Sequence, residues 1–62
     1  MCLSAVYEVK DGNENLICEH TTDIVIDGEK IKLTDIVGEE VVVIGILQHI
    51  DLVRNIIKIS VS

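Results

Sequence analysis

Two cysteines, two histidines and eleven carboxylates are the residues of this 62-residue chain with the most chemistry to offer. Cys2 stands apart, one residue from the chain start. Initiator methionine is commonly removed before so small a side chain. Removal would leave Cys2 with a free α-amine and a thiolate together, a five-membered chelate. With Met1 in place, the thiolate and the neighbouring backbone nitrogens remain available. Thiolate and nitrogen donors suit Ni(II), Cu or Zn far better than Mg or Ca. One chain offers too few such donors, whereas two chains across a two-fold axis would supply a matched pair of thiolates. The competing reading is a small core residue at the start of a strand, since free Cys is often buried.

Cys18 and His20 form a Cys-x-His pair. On a regular strand, residues two apart share a face. At about 3.3 Å per residue their Cα atoms would stand about 6.6 Å apart, within reach of a shared ion. Two ligands do not hold a structural zinc, however. A buried Cys18 beside a surface His20 is the reading preferred here. His49 follows Gln48 at a strand end and reads as a solvated side chain. The carboxylates assemble no motif: Glu39-Glu40 flank a turn, and Asp23, Asp27 and Asp35 fall at strand ends. The chain has no spaced Asp/Asn loop, no glycine-rich phosphate loop and no Gly-x-Ser-x-Gly elbow. Ser4, Ser60 and Ser62 have no His–acid partner nearby in sequence. So short a chain leaves little room for a substrate cleft, and no enzymatic activity is expected.

The elements that must position Cys2 read as strands. Thirty of the 62 residues are apolar and twenty of those are Val or Ile, which fit a pleated surface better than a helix. Polar clusters at Asp11-Gly12-Asn13, Asp27-Gly28-Glu29 and Gly38-Glu39-Glu40 mark turns. Cys2 to Lys10 alternates, with Leu3, Ala5, Tyr7 and Val9 on one face and Cys2, Ser4, Val6, Glu8 and Lys10 on the other. Leu16 to His20 follows. Thr22 to Asp27 and Lys30 to Asp35 are then joined by the hairpin signal Asp27-Gly28, with Ile24 and Ile26 facing one way and Ile31 and Leu33 doing so in the second arm. Val41 to Gln48 is a long apolar strand broken only by Gly45, where a bend or bulge is expected. Residues 51–55 form a short link, and Ile56 to Val61 closes the chain with Ile57, Ile59 and Val61 on one face. A helix over Ile46 to Arg54 fits the spacing of Ile46, Ile50 and Val53 but not the β-branched content. Five or six short strands over residues 1–62 point to one small all-β domain, a β-barrel of the SH3-like or Sm-like kind.

Val41-Val42-Val43-Ile44-Gly45-Ile46-Leu47 is apolar on both faces. A chain this short lacks the material to cover both, so the outer face is expected to meet a second copy, and a homodimer follows. A bulge at Gly45 that swaps the faces midway would leave less apolar surface exposed. The net charge of −6 and a single aromatic residue, Tyr7, argue against nucleic acid as a partner unless Lys30, Lys32, Arg54 and Lys58 converge. No apolar stretch approaches the ~18 residues of a membrane span. No basic region followed by an apolar segment marks secretion, so a cytoplasmic protein with free thiols is expected.

The order of these features resembles the CooT family of small nickel-binding accessory proteins, associated with maturation of carbon monoxide dehydrogenase. The resemblance runs from Met1-Cys2 through the hairpin Ile24-Val25-Ile26-Asp27-Gly28-Glu29-Lys30-Ile31-Lys32-Leu33. It continues in Asp35-Ile36-Val37-Gly38-Glu39, Gly45-Ile46 and Ile50-Asp51-Leu52, then the closing apolar strand. Members usually carry an aromatic residue just before the Gly-Glu pair, where this chain has Val37. The resemblance implies an SH3-like barrel that dimerises and binds Ni(II) through the thiolate of Cys2, with a nickel enzyme such as carbon monoxide dehydrogenase as client. It implies no role for Cys18 or His20. The family has also been labelled RNA-binding, which reflects the barrel. A metal-free protein-interaction module is the alternative from a different class.

Overall fold

The computed structural model describes residues 3–61, and every regular element in it is a strand. The six are β1 (Ser4–Lys10), β2 (Asn13–Asp27), β3 (Lys30–Asp35), β4 (Glu40–Ile44), β5 (Ile46–Asp51) and β6 (Ile56–Ser60). They form one sheet in the order β4-β3-β2-β1-β6-β5. The all-β class and the strand count agree with the expectation from sequence. Residues Ile46 to Asp51 are strand and not helix.

Local chemistry explains the hairpins. Asp11 and Gly12 join β1 to β2, both with positive φ (52° and 80°), the backbone a two-residue hairpin requires. Asp27 pairs with Lys30 across the second hairpin, where Ile26 faces Ile31 and Ile24 faces Leu33. These pairs put the aliphatic rows of both arms on one face, as their alternation predicts.

The strand layout departs from the sequence expectation in three ways, the first being that Val41 to Gln48 divides at Gly45 into β4 and β5. The segments Leu16 to His20 and Thr22 to Asp27 are one continuous strand, whose first part pairs with β1 and whose second part pairs with β3. In addition, β6 pairs in parallel with β1, so that Val6 lies beside Ile57 and Glu8 beside Ile59. Val6 is thereby flanked by Cys18 on one side and Ile57 on the other. It is buried with them and with Ile31, Leu33 and Ile59. Ile17, Ile24, Val43, Leu47 and Val61 pack against this core. Burying each large aliphatic side chain contributes about 1.5–3 kcal/mol.

Gly45 decides how the sheet turns on itself. β4 and β5 are the two ends of the strand order, yet Gly45 alone connects them. The sheet must therefore bend round so that its ends meet. Gly45 donates its N–H to the Glu29 carbonyl at 2.8 Å. A Cβ at this position would run into the Ser60 carbonyl oxygen and press on Ile59 Cγ2 at 3.0 Å and Val61 Cγ1 at 3.1 Å. The close approach of β6 thus requires glycine. Among the described residues no ladder joins β4 to β5, so the hydrogen-bonded ring expected of a closed barrel is not completed.

Candidate functional site

Cys2, the expected metal ligand, lies outside the described residues. The structure does define the end of the sheet at which the chain enters. Ser4 pairs with Thr21, and Thr21 with Asp35. On the other side of β1, Ala5 pairs with Ile56, and Ile56 with Asp51. The start of β1, the end of β3 and the β5–β6 link therefore share one end of the molecule. Gly45 and the hairpins at residues 11–12 and 28–29 occupy the other.

Two aspartates build the turns at this chain-entry end. Asp35 Oδ1 accepts hydrogen bonds from the backbone N–H groups of Val37 (3.0 Å) and Glu39 (2.9 Å). Its own N–H donates to the Glu39 carbonyl at 2.9 Å, and the Gly38 N–H donates to the Asp35 carbonyl at 3.0 Å. Asp51 Oδ1 likewise accepts from the N–H groups of Val53 and Arg54, each at 3.0 Å. A short side chain that accepts from the backbone two to four residues ahead closes a turn without a sheet partner. Each turn presents an aliphatic pair to solvent: Ile36 and Val37 are 60% and 74% exposed, and Leu52 and Val53 are 81% and 93% exposed.

Cys18 and His20 do not converge. Cys18 is buried opposite Val6, while His20 is exposed. The cause is an irregularity in the β1–β2 ladder: Ser4 faces Thr21 and Val6 faces Cys18, so three steps along β2 match two along β1. The extra residue breaks the alternation and turns Cys18 and Thr21 inward together. A buried thiol beside a surface imidazole, the preferred sequence reading, is the arrangement found. His20 contributes its backbone carbonyl, which accepts from the Ile36 N–H at 2.9 Å and ties β2 to the Asp35 turn. His49 is exposed on β5 opposite Lys58. Among the described residues no three His, Cys, Asp or Glu side chains cluster closely enough to hold a metal ion, and no pocket opens in the surface.

Three of the four cations that could have made a basic track face carboxylates instead. Lys58 donates to Glu14 at 2.9 Å, Lys32 stands 3.7 Å from Glu40, and Arg54 Nε lies 4.0 Å from Asp51. The aspartate turns were legible in sequence only as solvated turn positions. Both share the pattern of Asp followed by two aliphatics, Asp35-Ile36-Val37 and Asp51-Leu52-Val53, but so does Asp23-Ile24-Val25 inside β2, and the pattern alone does not single out the turns.

The family profile described as CO dehydrogenase accessory protein CooT matches residues 1–60, nearly the whole chain. The chain belongs to the CooT family. The fold is similar to the crystal structure of a protein assigned as CooT from Carboxydothermus hydrogenoformans, with a TM-score of 0.88 and 21% sequence identity over 98% of each chain. At that identity the similarity establishes a shared fold. No curated protein sequence matches the chain. CooT family membership makes this an accessory protein for CO dehydrogenase. Among its described residues no helix is long and apolar enough to cross a membrane.

Proposed function

We propose that this CooT family member is a cytoplasmic, non-enzymatic nickel carrier. It holds Ni(II) through the Cys2 thiolate, one ion shared between the two chains of a homodimer, and delivers it to a nickel enzyme such as CO dehydrogenase. The observation that carries the reading is the family match through residues 1–60, which includes Met1-Cys2. The fate of the second cysteine supports it. Cys18 is committed to the core, which leaves Cys2 as the candidate thiolate donor. Thiolate and backbone nitrogen are donors that favour Ni(II) over hard cations.

Exposed aliphatics support the second copy. Val41, Val42, Ile44 and Ile46 of the β4–Gly45–β5 flank stand in solvent, as expected for a face that another chain covers. Both β4 and β5 are also edge strands, whose unpaired backbone groups invite coverage. Side-by-side packing with the two-fold axis along the strands would bring both chain-entry ends to the same side. Sharing one ion requires the two Cys2 sulfurs to lie within about 3–4.6 Å of one another, given metal–sulfur bonds near 2.3 Å.

Nickel titration of the wild type and of Cys2→Ala tests the reading. Expected are one ion per two chains, a thiolate-to-nickel absorbance band, and loss of both in the variant. Equal nickel affinity in the two proteins would end it. A dimer whose mass and stability ignore nickel and chelator would favour a metal-free interaction module.

A further inference from the structure

Apart from Leu16, Val25 and Ile26 on β2, the exposed large aliphatics fall in two separate places. One is the β4–Gly45–β5 flank. The other is the chain-entry end, where Ile36-Val37 and Leu52-Val53 project from the two aspartate turns. We propose that these two turns form the docking face for the protein that accepts the nickel, and that the acceptor presents an apolar surface edged by lysine and arginine. The proposal rests on the nickel-carrier reading and adds the surface through which the cargo leaves.

Three observations on the molecule carry it. The first is position. Ladder pairs place both turns at the end where β1 begins, two residues after Cys2. A metal passes from one protein to another only when the incoming ligands come within bonding distance, so the docking face must adjoin the ion. The second is preorganisation. Asp35 and Asp51 each fix two backbone N–H groups, and the His20 carbonyl ties the Asp35 turn to β2. Side chains on turns already fixed lose less freedom on binding, which favours them as contact points. The third is charge. Asp23, Asp35, Glu39, Glu40 and Asp51 stand around the turns, and the nearest cations, Lys32 and Arg54, are drawn to Glu40 and Asp51. An acidic rim favours a basic partner.

The test is binding to nickel-free CO dehydrogenase, measured for the wild type, Leu52→Ser/Val53→Ser, Glu39→Lys and Cys2→Ala. The double variant should bind at least about tenfold more weakly, because it replaces two apolar side chains that the acceptor would bury with polar ones. Its native mass and nickel stoichiometry should stay those of the wild type. Glu39→Lys should also weaken docking, and wild-type docking should weaken as salt is raised. Cys2→Ala should dock like the wild type, so failure of the nickel reading leaves this measurement standing. Wild-type protein that does not dock, or a double variant that docks equally well, would overturn the proposal. So would a double variant with half the native mass, which would assign the face to the second copy.

Discussion

The two ends of the sheet solve the same problem by opposite means. At the Gly45 end the chain must pass from one edge strand to the other against the backbone of β6, and it does so by omitting a side chain. At the chain-entry end it must reverse in open solvent, and it does so by adding an acceptor, Asp35 Oδ1 or Asp51 Oδ1. Steric exclusion governs the first end and hydrogen bonding the second. The consequence is a difference in freedom. At the Gly45 corner the chain is pressed against Ile59 and Val61, part of the packed interior. The aliphatic pairs on the aspartate turns stay exposed, hold nothing in the core, and are available to another molecule.

Substitution at each end should break the symmetry of this comparison. The largest effect is expected at Gly45. Gly45→Ala forces a methyl group against the Ser60 carbonyl and two branched side chains, and should lower stability by about 3 kcal/mol, the upper range for overpacking. Urea unfolding measures it, and a loss below about 1 kcal/mol would show that β6 can yield there. An intermediate effect is expected for Asp35→Ala and Asp51→Ala. Each removes an acceptor from two backbone N–H groups that water can reach, for a loss of about 1 kcal/mol. Faster hydrogen exchange at residues 36–39 or 53–54 should accompany it, and unchanged exchange would mean the turns hold without their carboxylates. The smallest effect is expected for Leu52→Ser/Val53→Ser, whose side chains touch little. Stability should stay within about 0.5 kcal/mol of wild type, as for surface changes generally. A larger loss in the same melt would place these residues in a contact already made within the isolated chain.

Much of the local architecture could be read from residue types. Val-Ile alternation marked the strands, Asp11-Gly12 and Asp27-Gly28 marked the hairpins, and Gly45 marked the bend. These are near-neighbour effects: a β-branched side chain restricts its own rotamer, and a two-residue hairpin needs positive φ where it stands. The irregularity between Cys18 and Thr21 was not legible. Alternation counted along β2 alone places Cys18 and His20 together, whereas register against β1 separates them. The candidate site divides in the same way. Cys2 was singled out by its type and position, Cys18 by its spacing from His20, and burial withdrew the second.

The sequence by itself determined that this is an all-β chain with five or six strands, an acidic surface and a thiol near its start. Each of those properties belongs to a residue and its immediate neighbours. Only the tertiary structure decided that β6 lies parallel to β1 and that Asp35 and Asp51 share the end where the chain enters. It also decided that the aliphatics beside them remain outside the core. Residues 16 apart in sequence have no local means of choosing a common end. Their placement follows from how six strands bury one small set of aliphatic side chains, a cooperative outcome of packing that no segment holds alone.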